Sequence, residues 1–200
     1  MLNVLRPAVS RVLTPLGRAL ADRGVSPDMV TATGTLGTVA CALYFFPRGE
    51  LWWGSLAVTF FVLADMLDGV VARARGGGGS TWGAFLDSSL DRIADAAIFA
   101  GLIFYFFDSG QRVLAGVALF CLIAGMLVSY VKARAEGLGM TCDVGLAERT
   151  ERLIIVLTSA GFGHLGVPYL TAAGLWVLAA ASAFTVVQRL LHVRRQAVPE

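Results

Sequence analysis

Apolar runs of about the length that a helix needs to cross a bilayer, roughly 20 residues, recur along most of this 200-residue chain. Hydrocarbon offers no partner to a backbone N–H or C=O group, so long continuous runs satisfy their hydrogen bonds internally, as α-helices. The pattern predicts an all-α integral membrane bundle. We predict six transmembrane helices, at Met29–Phe46, Leu51–Val71, Phe85–Phe107, Val113–Val131, Leu153–Leu165 and Tyr169–Leu190.

The composition excludes an ordinary soluble domain. Hydrophobic residues make up 56% of the chain, and charged residues make up only 15%. The connections between the predicted spans are short, so we expect one membrane domain at residues 26–195 and a cytoplasmic tail at residues 196–200. Cys41, Cys121 and Cys142 show no spacing typical of a disulfide framework. Membrane lipids are therefore expected partners, and nucleic acid is not.

The first 25 residues form a separate region that we expect to lie on the membrane surface. Arg6, Arg11, Arg18 and Arg23 are spread among Leu, Val and Ala, without the apolar core or cleavage site of a signal peptide. This pattern is typical of an amphipathic helix whose arginines contact lipid phosphates. A frayed basic tail is the alternative.

Basic residues indicate the orientation of the chain in the membrane. With six spans, both termini and the loops at 72–84 and 132–152 lie on one side, which carries most of the arginines and lysines. The opposite side has only Arg48 and Arg112. The positive-inside rule then places both termini, and the polar residues at that end, in the cytoplasm, in a multi-pass protein of the plasma membrane.

Aspartates occur where an apolar helix tolerates them least. An aspartate at the centre of a membrane helix costs about 2.5–3.5 kcal/mol on insertion scales. The second and third predicted spans carry Asp65, Asp68, Asp87, Asp91 and Asp95. The first two are three residues apart and the next two are four apart, so each pair shares one helical face. These carboxylates therefore need a compensating partner.

A divalent cation is the partner that the first four of these aspartates predict. The loop between the two spans is short, so the helices run antiparallel and their carboxylates meet in the cytoplasmic half of the membrane. Four ionised carboxylates would repel one another without a cation. Oxygen ligands favour hard ions, so we expect two Mg²⁺ ions, with Mn²⁺ as an alternative.

Salt bridges or ion transport would also account for intramembrane aspartates. Salt bridges to Arg73, Arg75 or Arg92 would compensate them, and this hypothesis suits Asp95, one turn beyond the rest. A cation or proton carrier would use such carboxylates as an ion pathway. A carrier predicts polar residues across the whole membrane, whereas the outer halves of both helices are apolar and aromatic.

The aspartates belong to a longer pattern with fixed spacing. Written out, it is Asp65-x2-Asp68-Gly69-x2-Ala72-Arg73, then nine residues, then Gly83-x3-Asp87-x3-Asp91. This pattern resembles the signature of the CDP-alcohol phosphotransferase family, whose members make phospholipids in membranes. The resemblance extends to the six-span plan and the amphipathic N-terminal helix, and so covers essentially the whole chain.

The resemblance implies a role for each residue of the pattern. The metal ligands would be Asp65, Asp68, Asp87 and Asp91, and Asp91 would also be the general base that takes the acceptor's proton. The metals would grip the diphosphate of a CDP-linked lipid. Gly69, Ala72 and Gly83 would leave room for the nucleotide. Contacts to the CDP-lipid are implied for Asp28, Thr31, Asp65, Gly69, Ala72, Arg73, Gly83 and Asp87.

A second polar cluster, at the cytoplasmic ends of the last three spans, suggests the kind of acceptor. Guanidinium and ammonium groups match phosphate oxygens, whereas a neutral or cationic alcohol needs no such charge. The positive-inside bias and contacts with lipid headgroups would also produce a basic cluster at this position. The residues expected to bind an acceptor phosphate are Ser129, Lys132, Arg134, Arg149, Arg152 and Arg189.

Residues 129–136 and 148–155 resemble, within the same family, the phosphatidylinositol phosphate synthases of actinobacteria. The resemblance implies that CDP-diacylglycerol donates a phosphatidyl group to inositol 1-phosphate (1D-myo-inositol 3-phosphate), giving phosphatidylinositol phosphate and CMP. It also implies a homodimer. Glycerol 3-phosphate, the acceptor of phosphatidylglycerol phosphate synthases, remains the alternative within the family, because charge alone does not separate the two acceptors.

Overall fold

The structure is a computed structural model that describes residues 14, 15, 17, 19–65, 67–74 and 80–198. Within these residues the chain is helical and contains no strand, so the predicted all-α class is confirmed. Most of the predicted amphipathic segment at 1–25 lies outside the described residues, although residues 19–22 are helical. The helices are α1 Pro27–Phe45, α2 Leu51–Asp65, α3 Leu67–Ala74, α4 Thr81–Asp108, α5 Arg112–Glu136, α6 Arg149–His164 and α7 Leu170–Ala197.

Length and hydropathy support some of the predicted spans more strongly than others. Among the described residues, three segments are long and apolar enough to cross a membrane: Leu51–Arg73, Arg112–Glu136 and Leu170–Ala197. Helix α4 has 28 residues, but its first half carries the aspartates and Arg92, which lower its hydropathy. Helix α6 has only 16 residues. The count of six spans therefore stays a prediction.

Two serines fix where the site-bearing helices α1 and α4 begin. The Ser26 hydroxyl accepts a hydrogen bond from the Met29 N–H at 3.2 Å, with Pro27 in the first turn. The Ser80 hydroxyl accepts from the Gly83 N–H at 2.9 Å in the same way. Each serine satisfies an N–H group that the helix itself leaves without a partner. The two helix starts are adjacent, since a Cβ on Gly83 would lie 3.6 Å from an Asp28 carboxylate oxygen.

Helix α4 has two main neighbours in the bundle. It packs against α1 on one side and α5 on another, while α2 packs on α1 and α6, and α7 packs on α5 and α6. The outer half of α4 carries the core residues Ile98, Phe99, Leu102 and Phe106, all of them buried. The carboxylates that α4 buries lie no further along the helix than Asp95, so the bundle has one apolar end and one polar end.

At Gly101 the backbones of α1 and α4 approach each other closely. A Cβ on Gly101 would lie 2.6 Å from the carbonyl oxygen of Ala42, closer than real Cβ contacts come. Small residues permit such close packing of helices within a membrane. This contact sets the distance between α1 and α4. Thr31 and the aspartates lie nearer the starts of these same two helices.

Replacing Gly101 is expected to destabilise the bundle. Gly101→Ala forces α1 and α4 apart, and overpacking of this kind costs about 1–3 kcal/mol. Gly116→Ala is the matched control, because no described residue lies within 4 Å of a Cβ there and alanine favours the helix. Thermal unfolding in detergent should show a lower Tm for the first variant only. Equal Tm values would contradict the close approach.

Candidate metal centre

Three of the predicted carboxylates converge at the polar end of the bundle. Asp65 ends α2, and Asp87 and Asp91 lie one turn apart on α4. Each offers an oxygen, and these three oxygens all lie within 4.8 Å of one another. All three residues are half-buried. Carboxylates at this separation repel one another unless positive charge lies among them.

Asp68, the fourth predicted ligand, lies beside this cluster and is held by neighbouring groups. Its Oδ2 accepts a hydrogen bond from the Thr31 hydroxyl of α1 at 3.0 Å. Its Oδ1 accepts from the backbone N–H of Gly69. Thr31, predicted to contact the CDP-lipid, thus fixes the orientation of Asp68 in this structure.

One oxygen of Asp65 indicates what the cluster can bind. Asp65 Oδ1 is buried, and no hydrogen-bond donor reaches it from the described residues. A buried carboxylate oxygen without a partner is costly, and a bound ion is one way in which native structures satisfy such an atom. Three carboxylates offering oxygen ligands suit Mg²⁺ or Mn²⁺. The residues present therefore fit a divalent cation.

Sequence reasoning missed the face of α1 that supports this site. Gly34 lies against Asp65, because a Cβ there would stand 3.1 Å from Asp65 Oδ1. Thr35 and Thr38 are buried and line the same narrow crevice as Asp65. A signal was present, since Thr31, Thr35 and Thr38 recur at helical spacing within an apolar span. Small and polar residues on one face of a membrane helix are typical of a helix–helix contact.

The remaining predicted CDP-lipid residues lie on α3 and at the starts of α1 and α4. Gly69 follows Asp68, and a Cβ on it would lie 3.5 Å from an Arg73 guanidinium nitrogen. Arg73 lies in the last turn of α3 and is exposed. Ala72 is half-buried, and Gly83 lies beside Asp28 at the start of α4.

Arginines compensate the aspartates of α4. Arg149 Nη1 lies 2.7 Å from Asp91 Oδ1, and Arg149 Nε lies 3.3 Å from Asp95 Oδ1. Arg92 Nη2 lies 3.5 Å from Asp91 Oδ2. Asp91 therefore belongs both to the carboxylate cluster and to an ion-pair network.

Asp95 is paired as the salt-bridge hypothesis expected, but with different arginines. Its partners are Arg149 and Arg152 of α6, with Arg152 Nη2 at 2.8 Å from Asp95 Oδ2. Arg152 is only 1% exposed and also donates to the Ala147 carbonyl at 3.2 Å. A Cβ on Gly125 would lie 3.1 Å from Arg152 Nε, so Gly125 leaves space for this guanidinium.

Arg189 uses its donors to hold the segment between α5 and α6. It donates to the carbonyl of Val128 at 2.6 Å and to that of Val144 at 2.7 Å. It also lies 3.4 Å from Glu148 Oε1. Arg189 is buried, like Arg152, and most of its hydrogen-bonding capacity is satisfied within the protein.

The rest of the predicted acceptor residues are more accessible. Lys132 Nζ lies 2.6 Å from the exposed Asp143 and 3.6 Å from Glu136. Its hydrogen bond keeps the pKa of the Asp143 carboxyl below its ordinary value. The Ser129 hydroxyl donates to the Gly125 carbonyl at 3.1 Å, and Arg134 is exposed. Both Lys132 partners are themselves exposed, so an incoming anion can exchange with them at little cost.

Comparison with known proteins gives a family and a similar relative. A family model described as CDP-alcohol phosphatidyltransferase matches residues 24–187. A phosphatidylinositol phosphate synthase of Streptomyces avermitilis is 48% identical over 205 residues, which cover 98% of this chain and 84% of that protein. The similarity thus extends over nearly all of this chain and most of that protein.

Two crystal structures of a Mycobacterium tuberculosis phosphatidylinositol phosphate synthase have the same fold. One, with CDP-DAG bound, has a TM-score of 0.88 and 48% sequence identity, and covers 92% of this chain and 94% of its own. The second, in complex with manganese and citrate, has a TM-score of 0.87 and 48% identity, and covers 90% and 88%. That protein has therefore been crystallised both with CDP-DAG and with a divalent metal.

Binding of Mn²⁺ tests the carboxylate cluster directly. Asp65→Asn removes a ligand, so its affinity for Mn²⁺ should fall by more than the roughly 10–100-fold lost with outer-shell partners. Electron paramagnetic resonance of the purified protein in detergent measures free Mn²⁺ without any substrate. Asp108→Asn is the matched control, at the far, exposed end of α4. Equal affinities for the two variants would contradict the site.

Proposed function

Because this chain belongs to the CDP-alcohol phosphatidyltransferase family, we propose that it transfers a phosphatidyl group from CDP-diacylglycerol to inositol 1-phosphate (1D-myo-inositol 3-phosphate). The products are phosphatidylinositol phosphate and CMP. The observation that carries the proposal is the convergence of Asp65, Asp87 and Asp91 within 4.8 Å, beside Arg149. Relatives named phosphatidylinositol phosphate synthase that match almost the full chain support the choice of acceptor.

The carboxylates serve the donor substrate, CDP-diacylglycerol. Asp65, Asp87 and Asp91 would hold Mg²⁺ or Mn²⁺, with Asp68 completing the set for a second ion. The bound metal supplies positive charge to the diphosphate of CDP-diacylglycerol, the electrostatic part of phosphoryl transfer. Thr31 keeps Asp68 oriented toward this region through its hydrogen bond of 3.0 Å. The residues that surround the space assigned to the nucleotide are Asp28, Gly69, Ala72, Arg73 and Gly83.

Asp91 is the general base in this proposal. Its carboxylate accepts the proton of an inositol hydroxyl as the oxygen attacks the phosphorus on the lipid side of the diphosphate. A new P–O bond to inositol forms, the P–O bond to CMP breaks, and CMP carries away the bond's electron pair. Transfer of a proton to a positioned carboxylate at this step is ordinary general-base catalysis. The 2.7 Å contact with Arg149 supports the role, because it orients the Asp91 carboxylate.

The basic residues around α5, α6 and α7 form the acceptor site in this proposal. Lys132 and Arg134 are accessible, and Arg149 lies next to the base, so these three can meet phosphate oxygens directly. Arg152 and Arg189 are buried, so they support the site from the protein interior. They also contribute positive charge. Ser129 supplies a hydroxyl on the same side of α5 as Lys132, three residues away.

The structure's polarity supports one orientation in the membrane. Apolar helices and the family make this chain an integral membrane protein. The carboxylates and the ion pairs of Arg149, Lys132 and Arg189 cluster where α4 and α6 begin and where α5 and α7 end. We propose that this end faces the cytoplasm of a plasma-membrane protein with six spans, and that the chain forms a homodimer. A carrier fits less well, because α4 beyond Asp95 presents only buried apolar side chains to the core.

Release of CMP tests the reaction and the acceptor together. Purified protein with CDP-diacylglycerol and Mg²⁺ should release CMP with inositol 1-phosphate and not with inositol, serine or glycerol 3-phosphate. Asp91→Asn should lower the rate by about 10²–10⁴-fold, the usual contribution of a general base. Asp108→Asn, on the same helix, should not. Release with glycerol 3-phosphate instead would assign the alternative acceptor. Cation flux without CMP release would establish a carrier.

Lys132 tests whether the basic cluster binds the acceptor or merely reflects membrane orientation. Lys132→Gln should raise the KM for inositol 1-phosphate by on the order of tenfold or more, the loss of one charge-assisted contact. The KM for CDP-diacylglycerol should hardly change. Arg194→Gln is the matched control, because Arg194 is exposed at the same end of the bundle. If both variants behaved alike, the cluster would be explained by the positive-inside bias.

A further inference from the structure

Asp95 is a buried carboxylate without a role in the transfer proposed above. It lies one turn beyond Asp91 on α4, and only 6% of its surface is exposed. It is not part of the three-carboxylate cluster formed by Asp65, Asp87 and Asp91. An intramembrane carboxylate is rare without a function, because an apolar residue would be more easily accommodated there.

Each oxygen of Asp95 meets a different arginine from the first turn of α6. Asp95 Oδ1 faces Arg149 Nε at 3.3 Å, and Asp95 Oδ2 faces Arg152 Nη2 at 2.8 Å. The two arginines are three residues apart and so lie on one face of α6. A single carboxylate thereby fixes two guanidinium groups.

The two arginines differ in what their remaining N–H groups can reach. Arg152 is enclosed, with Nη1 on the Ala147 carbonyl at 3.2 Å and Gly125 packed beside Nε. Arg149 is about a quarter exposed, and its Nη1 extends to Asp91 at 2.7 Å. Asp95 holds the Nε atom of Arg149. Because the guanidinium is planar, this contact also orients its Nη atoms.

Removing Asp95 would take away the carboxylate that Arg149 and Arg152 share. Among the described residues, Asp91 would become the only carboxylate on Arg149, and the guanidinium would follow it. Arg152 would lose its ionic partner and remain buried. Two cationic groups would thus lose their alignment, while the contacts of Asp65, Asp68 and Asp87 would stay as they are.

We propose that Asp95 is a positioning residue for the acceptor site: one of its oxygens orients Arg149 to receive the acceptor phosphate next to Asp91, and the other holds the buried Arg152 behind it. This inference rests on the proposed function, since it takes the acceptor to be a phosphorylated alcohol. It assigns the acceptor half of the site to Asp95, whereas Asp65, Asp68 and Asp87 serve the donor half. The α4 carboxylates thereby divide between the two substrates along one helical face.

Steady-state kinetics of Asp95→Asn separates positioning from simple support of the fold. The KM for inositol 1-phosphate should rise at least about tenfold, since charged hydrogen bonds to phosphate lose their alignment. The KM for CDP-diacylglycerol should stay within about twofold of the wild type. Asp95→Glu keeps the charge and should recover part of the affinity for the acceptor. Asp108→Asn, the same substitution at the exposed end of α4, is the matched control.

The outcomes of this experiment are distinct. A lower Tm and a lower kcat with both KM values unchanged would assign Asp95 to stability alone and overturn the inference. Failure of both Asp95 variants to fold would overturn it too. If the wild type released no CMP with inositol 1-phosphate, the proposed function itself would fail. An active wild type with an unaltered acceptor KM in Asp95→Asn would reject only the role of Asp95.

Discussion

Ion pairs between α4 and α6 hold the polar end of the bundle together. Asp91 and Asp95 of α4 meet Arg149 and Arg152 of α6 at distances from 2.7 to 3.3 Å. Hydrocarbon does not solvate such groups, so each charge needs a partner from a neighbouring helix. Breaking a buried pair from one side costs about 3–5 kcal/mol, because the second charge is left behind. The mutual placement of α4 and α6 therefore depends on these contacts.

The charged groups at the polar end differ in how far their hydrogen bonds are made within the protein. Arg152 and Arg189 are buried and engaged by carbonyls and carboxylates of the protein. Asp65 keeps a buried oxygen without a donor from the described residues, and Lys132 is paired with exposed carboxylates. A site for a cation and a site for an anion both need unsatisfied or exchangeable groups, and these two residues provide them. The contacts of Arg152 and Arg189 keep the rest of the site in place.

Sequence reasoning predicted the elements with strong local signals. The apolar runs located the start of each predicted span to within four residues of a helix start, although α5 and α7 continue beyond the predicted ends. The spacing of Asp87 and Asp91 predicted that they would share a face. Contacts between remote segments were not predictable in the same way. Nothing local in the sequence shows that Thr31 would hold Asp68, or that Asp95 would pair with arginines of α6 rather than with nearby ones. Such contacts depend on which helix starts face each other, and helical periodicity does not contain that information.

Helix α7 also holds the connection between α5 and α6 in place. This connection, residues 137–148, is largely without regular structure. Thr185 accepts from the N–H groups of Leu146 and Ala147, Arg189 donates to the Val144 carbonyl, and Gln196 exchanges hydrogen bonds with Thr141. The backbone of this connection thus finds its partners on a helix that is synthesised after both of the helices it joins. During biogenesis, α5 and α6 are both synthesised before those partners. The polar end of the bundle is accordingly completed only after α7 has left the ribosome, so the order of synthesis delays the finished site until the whole bundle is in the membrane.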